Sequence, residues 1–156
     1  MTQSTITSIT YRPKDIEAKP EDHFARVPLE TTTLIAGYGI AGDAKGGHPN
    51  RQLNVMCAES LADLSSEGYD IVPGQMGEQI VVSGCDIGHQ PDGTKVRFGA
   101  DAVIEIVEAR NGCDRFQHIQ GKRPAEQGQL GVMCRVLTGG IIKVGDPVTI
   151  LSAETV

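Results

Sequence analysis

Thr31-Thr32-Thr33-Leu34-Ile35-Ala36-Gly37-Tyr38-Gly39-Ile40-Ala41-Gly42-Asp43-Ala44-Lys45-Gly46-Gly47-His48-Pro49 is the stretch on which the choice of fold turns. Its first six residues are β-branched or apolar and read as a strand, and residues 37–42 match Gly-x-Gly-x-x-Gly. In a dinucleotide-binding fold that motif must open a helix whose N-terminus receives the pyrophosphate. Two glycines and a proline within residues 43–49 leave no helix start of useful length, so a doubly wound parallel sheet is rejected. The glycines read instead as a loop whose backbone N–H groups can approach a ligand closely. Asp43, Lys45, His48 and Arg51 crowd into nine residues of it. Composition alone would make this an ordinary solvated loop, so support for a site has to come from elsewhere in the chain.

Working outward, short apolar or alternating runs recur between turn residues. Strands are expected at residues 4–11, 31–36, 52–56, 79–83, 95–98, 102–108, 129–137 and 148–151, about eight in all. Pro13 and the charged residues 14–22 interrupt the first run and predict an exposed loop. One helix is expected at residues 58–67, where Leu61 and Leu64 share a face and Gly68 supplies the stop. Residues 96–103 and 144–148 each place a glycine turn between apolar residues and read as tight hairpin corners. With 19 Gly, 8 Pro, three Tyr, three Phe and no Trp, the composition favours many turns between short elements. The expectation is all-β: a single closed or partly open β-barrel of about eight short strands, with one or two short helices, in one domain over residues 1–156. At this length about 70% of the unfolded surface can be buried, so the core needs no staple.

A net charge of -6 argues against a protein that coats nucleic acid or an anionic membrane. Residues 1–5 carry no basic segment and no apolar run follows, which predicts a cytoplasmic protein without a spanning helix. Small anions remain admissible through a local patch, and one exists. Between residues 109 and 124, Arg110, Arg115, Lys122 and Arg123 face only Asp114, an island of +3 in an acidic chain.

Four cysteines, Cys57, Cys85, Cys113 and Cys134, lie far apart with no Cys-x-x-Cys pair and no zinc-finger histidines, against a structural zinc site. Cys134 falls on the apolar face of an alternating strand and reads as core, while Cys57 and Cys85 have no basic neighbours. Cys113 sits inside the basic island, where cations favour thiolate, the form that attacks sulfur donors or binds a soft metal. His118, five residues on, is a proton carrier without established contact, and no nucleophile elbow or phosphate-cradling Gly-Lys-Ser motif is present. Glu78, after Gly74 and Gly77 at a strand start, has the bland role of a turn hydrogen bond.

Four segments in order resemble the MOSC family: Gly39-Ile40-Ala41-Gly42-Asp43 with His48-Pro49-Asn50-Arg51-Gln52, then Pro73-Gly74-Gln75-Met76-Gly77-Glu78, then the Cys113 loop, then residues 131–136 running into 140–148. The resemblance spans about residues 30–151 and implies a β-barrel with a functional cysteine at Cys113. In cofactor sulfurases this domain receives persulfide sulfur from a pyridoxal-phosphate desulfurase domain and delivers it to molybdenum. In amidoxime-reducing relatives the matching cysteine ligates the metal. It implies molybdenum cofactor (molybdopterin) as ligand, with Arg51, Lys122 and Arg123, beside Arg110, suiting its phosphate. Asp43, His48 and Glu78 would shape the pocket or hydrogen-bond the pterin. The sequence departs from the family's usual pattern at Ala44-Lys45, Gly112 and Gln79. The expected partners are a cysteine desulfurase or an electron-transfer protein, with a small-molecule substrate. The rival expectation is a non-catalytic barrel that binds an anionic ligand, in which Cys113→Ala leaves affinity unchanged while Arg51→Ala or Arg123→Ala weakens it by about 1–3 kcal/mol.

Overall fold

A computed structural model of the chain describes residues 3–14, 24–110, 119–121 and 130–151. Alternation sets the first strand, β1 (Thr5–Tyr11), with one irregularity. Ile6 and Ile9 are both buried although three apart, because the register against its neighbour slips between Ile6 and Ser8. An extra residue at that point returns both side chains to the same face.

The remaining strands are β2 (Val27–Pro28), β3 (Thr31–Ile35), β4 (Gly39–Ile40), β5 (Leu53–Cys57), β6 (Ile80–Ser83), β7 (Lys95–Phe98), β8 (Ala102–Ala109), β9 (Val132–Thr138), β10 (Gly140–Lys143) and β11 (Val148–Leu151). Eight form one sheet in the order β11-β7-β8-β9-β5-β6-β1-β2, and three form a second, β10-β3-β4. The large sheet curls until its ends meet: Val148 N–H donates to Ser4 O at 2.9 Å, Ile6 N–H to Asp146 O at 3.0 Å and Gly145 N–H to Ile6 O at 2.8 Å. Phe98, Ile104, Val55, Ile80 and Cys134 lie within the enclosed core.

β5 and β6 run parallel, and the connection between them carries the helix α1 (Ala58–Ser66). Cys57 caps it, its Sγ accepting from Ser60 N–H at 3.4 Å. Leu61 and Leu64 pack on Met56, Met76 and Val81 in a second apolar cluster outside the barrel. Gly68, at φ +94°, ends the helix as expected. A short 3₁₀ turn follows β6 at Ile87–His89.

The architecture is β-rich with a partly closed barrel. Every strand expected from the sequence is present within a few residues of its anticipated bounds. The barrel sheet has the expected eight strands, and a second sheet of three brings the number among the described residues to eleven. β2 and β4 are two residues each, too short for any periodicity. The second expected hairpin is also corrected. Residues 95–105 do form one, Phe98 pairing Ala102, but β10 pairs with β3 and β11 with β7, so residues 144–147 carry the chain from one sheet to the other.

Gly131 shows how closely the strands approach. Its φ is +86°, and a Cβ there would lie 2.1 Å from Val55 O. Gly93 has φ +90° with open space around it. Gly131→Ala is expected to cost about 2–4 kcal/mol, from the backbone conformation and the forced separation of β5 and β9 together. Gly93→Ala should cost only the conformational part, about 1–2 kcal/mol. Urea denaturation of both variants checks the difference, and equal losses would contradict the close approach at Gly131.

Candidate functional site

The glycine loop folds around two side chains. Tyr38 lies over Gly46, where a Cβ would come within 2.3 Å of the ring, and its hydroxyl donates to Asp43 O at 2.6 Å. The Lys14 ammonium sits 5.1 Å from the Tyr38 ring centroid. Asp43 points the other way, into the protein, with 0% of its surface exposed. Its Oδ1 accepts from the N–H groups of Arg12 and Lys45, both at 3.2 Å, and its Oδ2 accepts from Gln79 Nε2 at 3.0 Å. Gln79 Oε1 in turn accepts from Asn54 N–H at 2.7 Å. One carboxylate thus joins the glycine loop to β1 and, through Gln79, to β5.

Glu78, 1% exposed, closes the turn before it. Its carboxylate oxygens accept from Gly74 N–H at 2.8 Å and Met76 N–H at 3.2 Å. Arg110, 4% exposed, donates through Nη1 to Met76 O on the same turn. A Cβ on Gly77 (φ +82°) would lie 2.5 Å from Arg110 Nη2, so glycine at 77 admits the guanidinium. Arg26 reaches the same turn: Nη2 donates to Gly77 O at 3.2 Å, and Nη1 stands 3.9 Å from Asp43 Oδ1. Its side chain is only 5% exposed, and among the described residues Nε and Nη1 have no hydrogen-bond partner. Removal from water pushes the Arg26 pKa down, against the opposing pull of Asp43 and Glu78. Burial likewise pushes the Glu78 carboxyl up, and the bond from Gly74 and the cations Arg110 and Arg26 only partly offset it.

Of the residues singled out from sequence, Asp43, Glu78 and Arg110 come together in this buried cluster. His48 and Arg51 are exposed, and His48 Nδ1 accepts from Asn50 N–H at 3.1 Å within its own turn. Cys113, Lys122 and Arg123 lie outside the described residues. Sequence reasoning missed Arg12 and Arg26, because a basic residue beside a loop carries no sign of burial. The bland readings of the other cysteines hold: Cys134 is fully buried, which pushes its thiol up, and Cys57 caps α1. Cys85 is pushed up to about 11 by burial, with Cys57 and Glu59 adding to it. A shallow cleft of about 230 Å³, lined by Thr7, Ser8, Leu61, Ile71, Pro73 and Glu78 among others, opens beside the cluster. Among the described residues no group of His, Cys, Asp and Glu is arranged to hold a metal ion, and no helix is long and apolar enough to cross a membrane.

Residues 42–149 match the MOSC domain family model. Among solved structures, the chain is similar to the YuaD protein from Bacillus subtilis, with a TM-score of 0.73 at 17% identity over 97% of each chain. It is also similar to YiiM from Geobacillus stearothermophilus, with a TM-score of 0.66 at 19% identity over 95% of this chain and 75% of that one. YiiM from Escherichia coli gives a TM-score of 0.65 at 18% identity over 95% and 70%. At these identities the likeness is one of fold. No curated protein matches the sequence significantly.

The raised Glu78 pKa sets a pH dependence. A carboxyl whose folded pKa lies above its unfolded value of about 4.5 binds its proton more readily when folded, so lowering the pH through the folded pKa stabilises the protein, and the gain is complete below about 4.5. Wild type should therefore gain stability relative to Glu78→Gln as pH falls from 7 toward 4.5. Urea midpoints of the two proteins across that range measure it; a constant difference would show that burial does not dominate at Glu78.

Proposed function

We propose, because the chain belongs to the MOSC domain family, that it is associated with the molybdenum cofactor and that Cys113 is its working group, as sulfur carrier or as molybdenum ligand. The observation that carries this reading is the family match over residues 42–149, which includes Cys113 and its basic island. The other three thiols support it by contrast: one is sealed in the core, one caps a helix, and one has its pKa pushed up to about 11. A thiol surrounded by Arg110, Arg115, Lys122 and Arg123 in sequence is the one whose anionic form is favoured.

The described residues fit a phosphate-bearing group in one concrete respect, the donor atoms of Arg26 that have no acceptor. In this reading Cys113 would hold the metal or the carried sulfur, and the basic residues would neutralise the phosphate. Asp43 and Glu78 would fix the glycine loop and the 74–78 turn beside it. Bound molybdenum supplies a redox centre, suited to reduction of N-hydroxylated compounds. The chain's own part is to bind, orient and limit water. A carrier role requires a cysteine desulfurase as donor, and a reductase role requires an electron-transfer protein. The rival reading, a barrel that binds an anionic ligand without chemistry, differs in giving Cys113 no part.

Wild type and Cys113→Ala would be expressed in a host that makes the cofactor, purified without oxygen, and assayed for molybdenum per chain by mass spectrometry. A metal ligand predicts near-stoichiometric molybdenum in wild type and at least a tenfold loss in the variant, on the order of 1.4 kcal/mol or more of binding. A carrier predicts no metal in either and a persulfide on Cys113 after exposure to a desulfurase. Neither metal nor persulfide would leave the binding module.

A further inference from the structure

Gln120 ties its own segment to the 70–76 loop through both ends of its amide. Its Oε1 accepts from Asp70 N–H at 2.7 Å, and its Nε2 donates to Asp70 O at 2.9 Å and to Gln75 O at 2.8 Å, with Met76 Sδ beside them at 3.2 Å. The amide's hydrogens meet two carbonyl oxygens and its oxygen meets an N–H, so its orientation is fixed: turned over, the oxygen would face both carbonyls. The receiving loop is braced on its own account. Asp70 Oδ1 accepts from Val72 N–H at 3.1 Å, and Gln75 N–H donates to Val72 O at 2.9 Å. Ile119, the residue before Gln120, packs on the apolar cluster that contains Met76 and Leu64.

Earlier in the chain, Arg110 is fastened to the same loop. Its Nη1 donates to Met76 O, and its backbone N–H donates to Gly131 O at 2.9 Å. Residues 110 and 120 are thus both anchored on the 70–76 loop, one at Met76 and the other at Asp70 and Gln75, and Cys113 falls between them in sequence. Chain geometry alone keeps the Cys113 Cα within about 11 Å of the Arg110 Cα. With that single anchor, a residue three positions on still ranges over about 10 Å. A second anchor removes much of this freedom, and the entropy it costs must be offset by contacts such as those of the Gln120 amide. A thiol that must meet a sulfur atom or a metal in one geometry gains from being fixed, since a misplacement of about 1 Å can cost on the order of 10²-fold in rate. We propose that Gln120 is a positioning residue: by pinning the chain to Asp70 and Gln75 it sets where Cys113 stands relative to the 70–76 loop. The proposal rests on the reading of Cys113 as the working group and adds what places that group.

The test reads position first and chemistry second. Full-length protein carrying Cys85→Ser and Val72→Cys would take one nitroxide at Cys113 and one at position 72, which is 62% exposed, while Cys57 and Cys134 are buried from the reagent. Pulsed electron-spin resonance then gives the distribution of distances between the two labels. It should be narrow with Gln120 in place and about twofold or more wider in Gln120→Leu. Gln120→Glu keeps the acceptor for Asp70 N–H but sets an oxygen against the two carbonyls, so it should widen the distribution too, and it serves should the leucine variant not fold. A control pair, Val72→Cys with Thr149→Cys on β11 in a Cys113→Ala background, should keep its width. No widening in either variant would overturn the proposal, and so would equal widening of the control pair, which marks general loosening. On unlabelled protein, molybdenum per chain, or persulfide on Cys113 after exposure to a desulfurase, should fall about tenfold or more in Gln120→Leu. Where wild type carries one of these and the variant carries as much, Gln120 is a structural tie and the proposal fails. A widened distribution in a protein whose wild type carries neither upholds the placement of Cys113 and removes the proposed function. Molybdenum or persulfide that depends on Cys113, with the distribution unaltered in both Gln120 variants, does the reverse.

Discussion

Asp43 has no contact with water, yet it holds together parts of the chain that are far apart in sequence. A buried carboxylate is tolerable only when its oxygens are met by donors, and the donors here come from the end of β1, from the glycine loop itself and from the first residue after Glu78. Removing one side of such an arrangement leaves an uncompensated group in the interior, at a typical cost of about 3–5 kcal/mol for a charge. The consequence reaches beyond stability. The glycine loop, which has little apolar surface of its own, is fixed in space by this one residue and by Tyr38 above it. The 74–78 turn is fixed in the same manner by Glu78. Two loops without bulk are thereby held in fixed positions.

The same economy explains where the glycines fall. Those in the 74–78 turn do not merely permit a turn: they vacate the volumes that Arg26 and Arg110 occupy. A turn with side chains at 74 and 77 would keep both guanidinium groups out, and the buried carboxylate of Glu78 would lose its cationic neighbours. Cation, carboxylate and glycine are therefore interdependent, and an alteration at any one changes the others' cost.

The β-rich class was legible because β-strands announce themselves by a period of two, and strands such as β8 and β9 are long enough to show it. β2 and β4 escaped because two residues cannot display a period, and their pairing is decided by partners distant in the chain. The parallel pairing of β5 with β6 was also unreadable, since nothing local tells a strand in which direction its neighbour runs. At the site, Asp43, Glu78 and Arg110 were reached through segments rich in glycine and charge. Arg26 was not: whether a basic side chain in a loop faces water or a carboxylate depends on tertiary placement, which leaves no mark in the residues beside it. His48 and Arg51 illustrate the opposite error of proximity, being close to Asp43 in sequence while their side chains remain at the surface.

The seam between β1 and the turn before β11 has a consequence for how this chain reaches its folded state. Ser4 and Ile6 are bonded to residues 145–148, so the barrel's first strand waits for those distant residues to be synthesised. Until then the outer edge of β7 lacks β11, and its unpaired backbone groups are open to pairing with another molecule. Emergence from the ribosome at about 5–20 residues per second sets a delay of several seconds during which that edge is uncovered. Contacts this remote in sequence also make for slow folding, because the intervening loop must be closed before they return any stabilisation. The vulnerable period in the life of this protein is its birth, and a chaperone that shields one bare strand edge would protect it then.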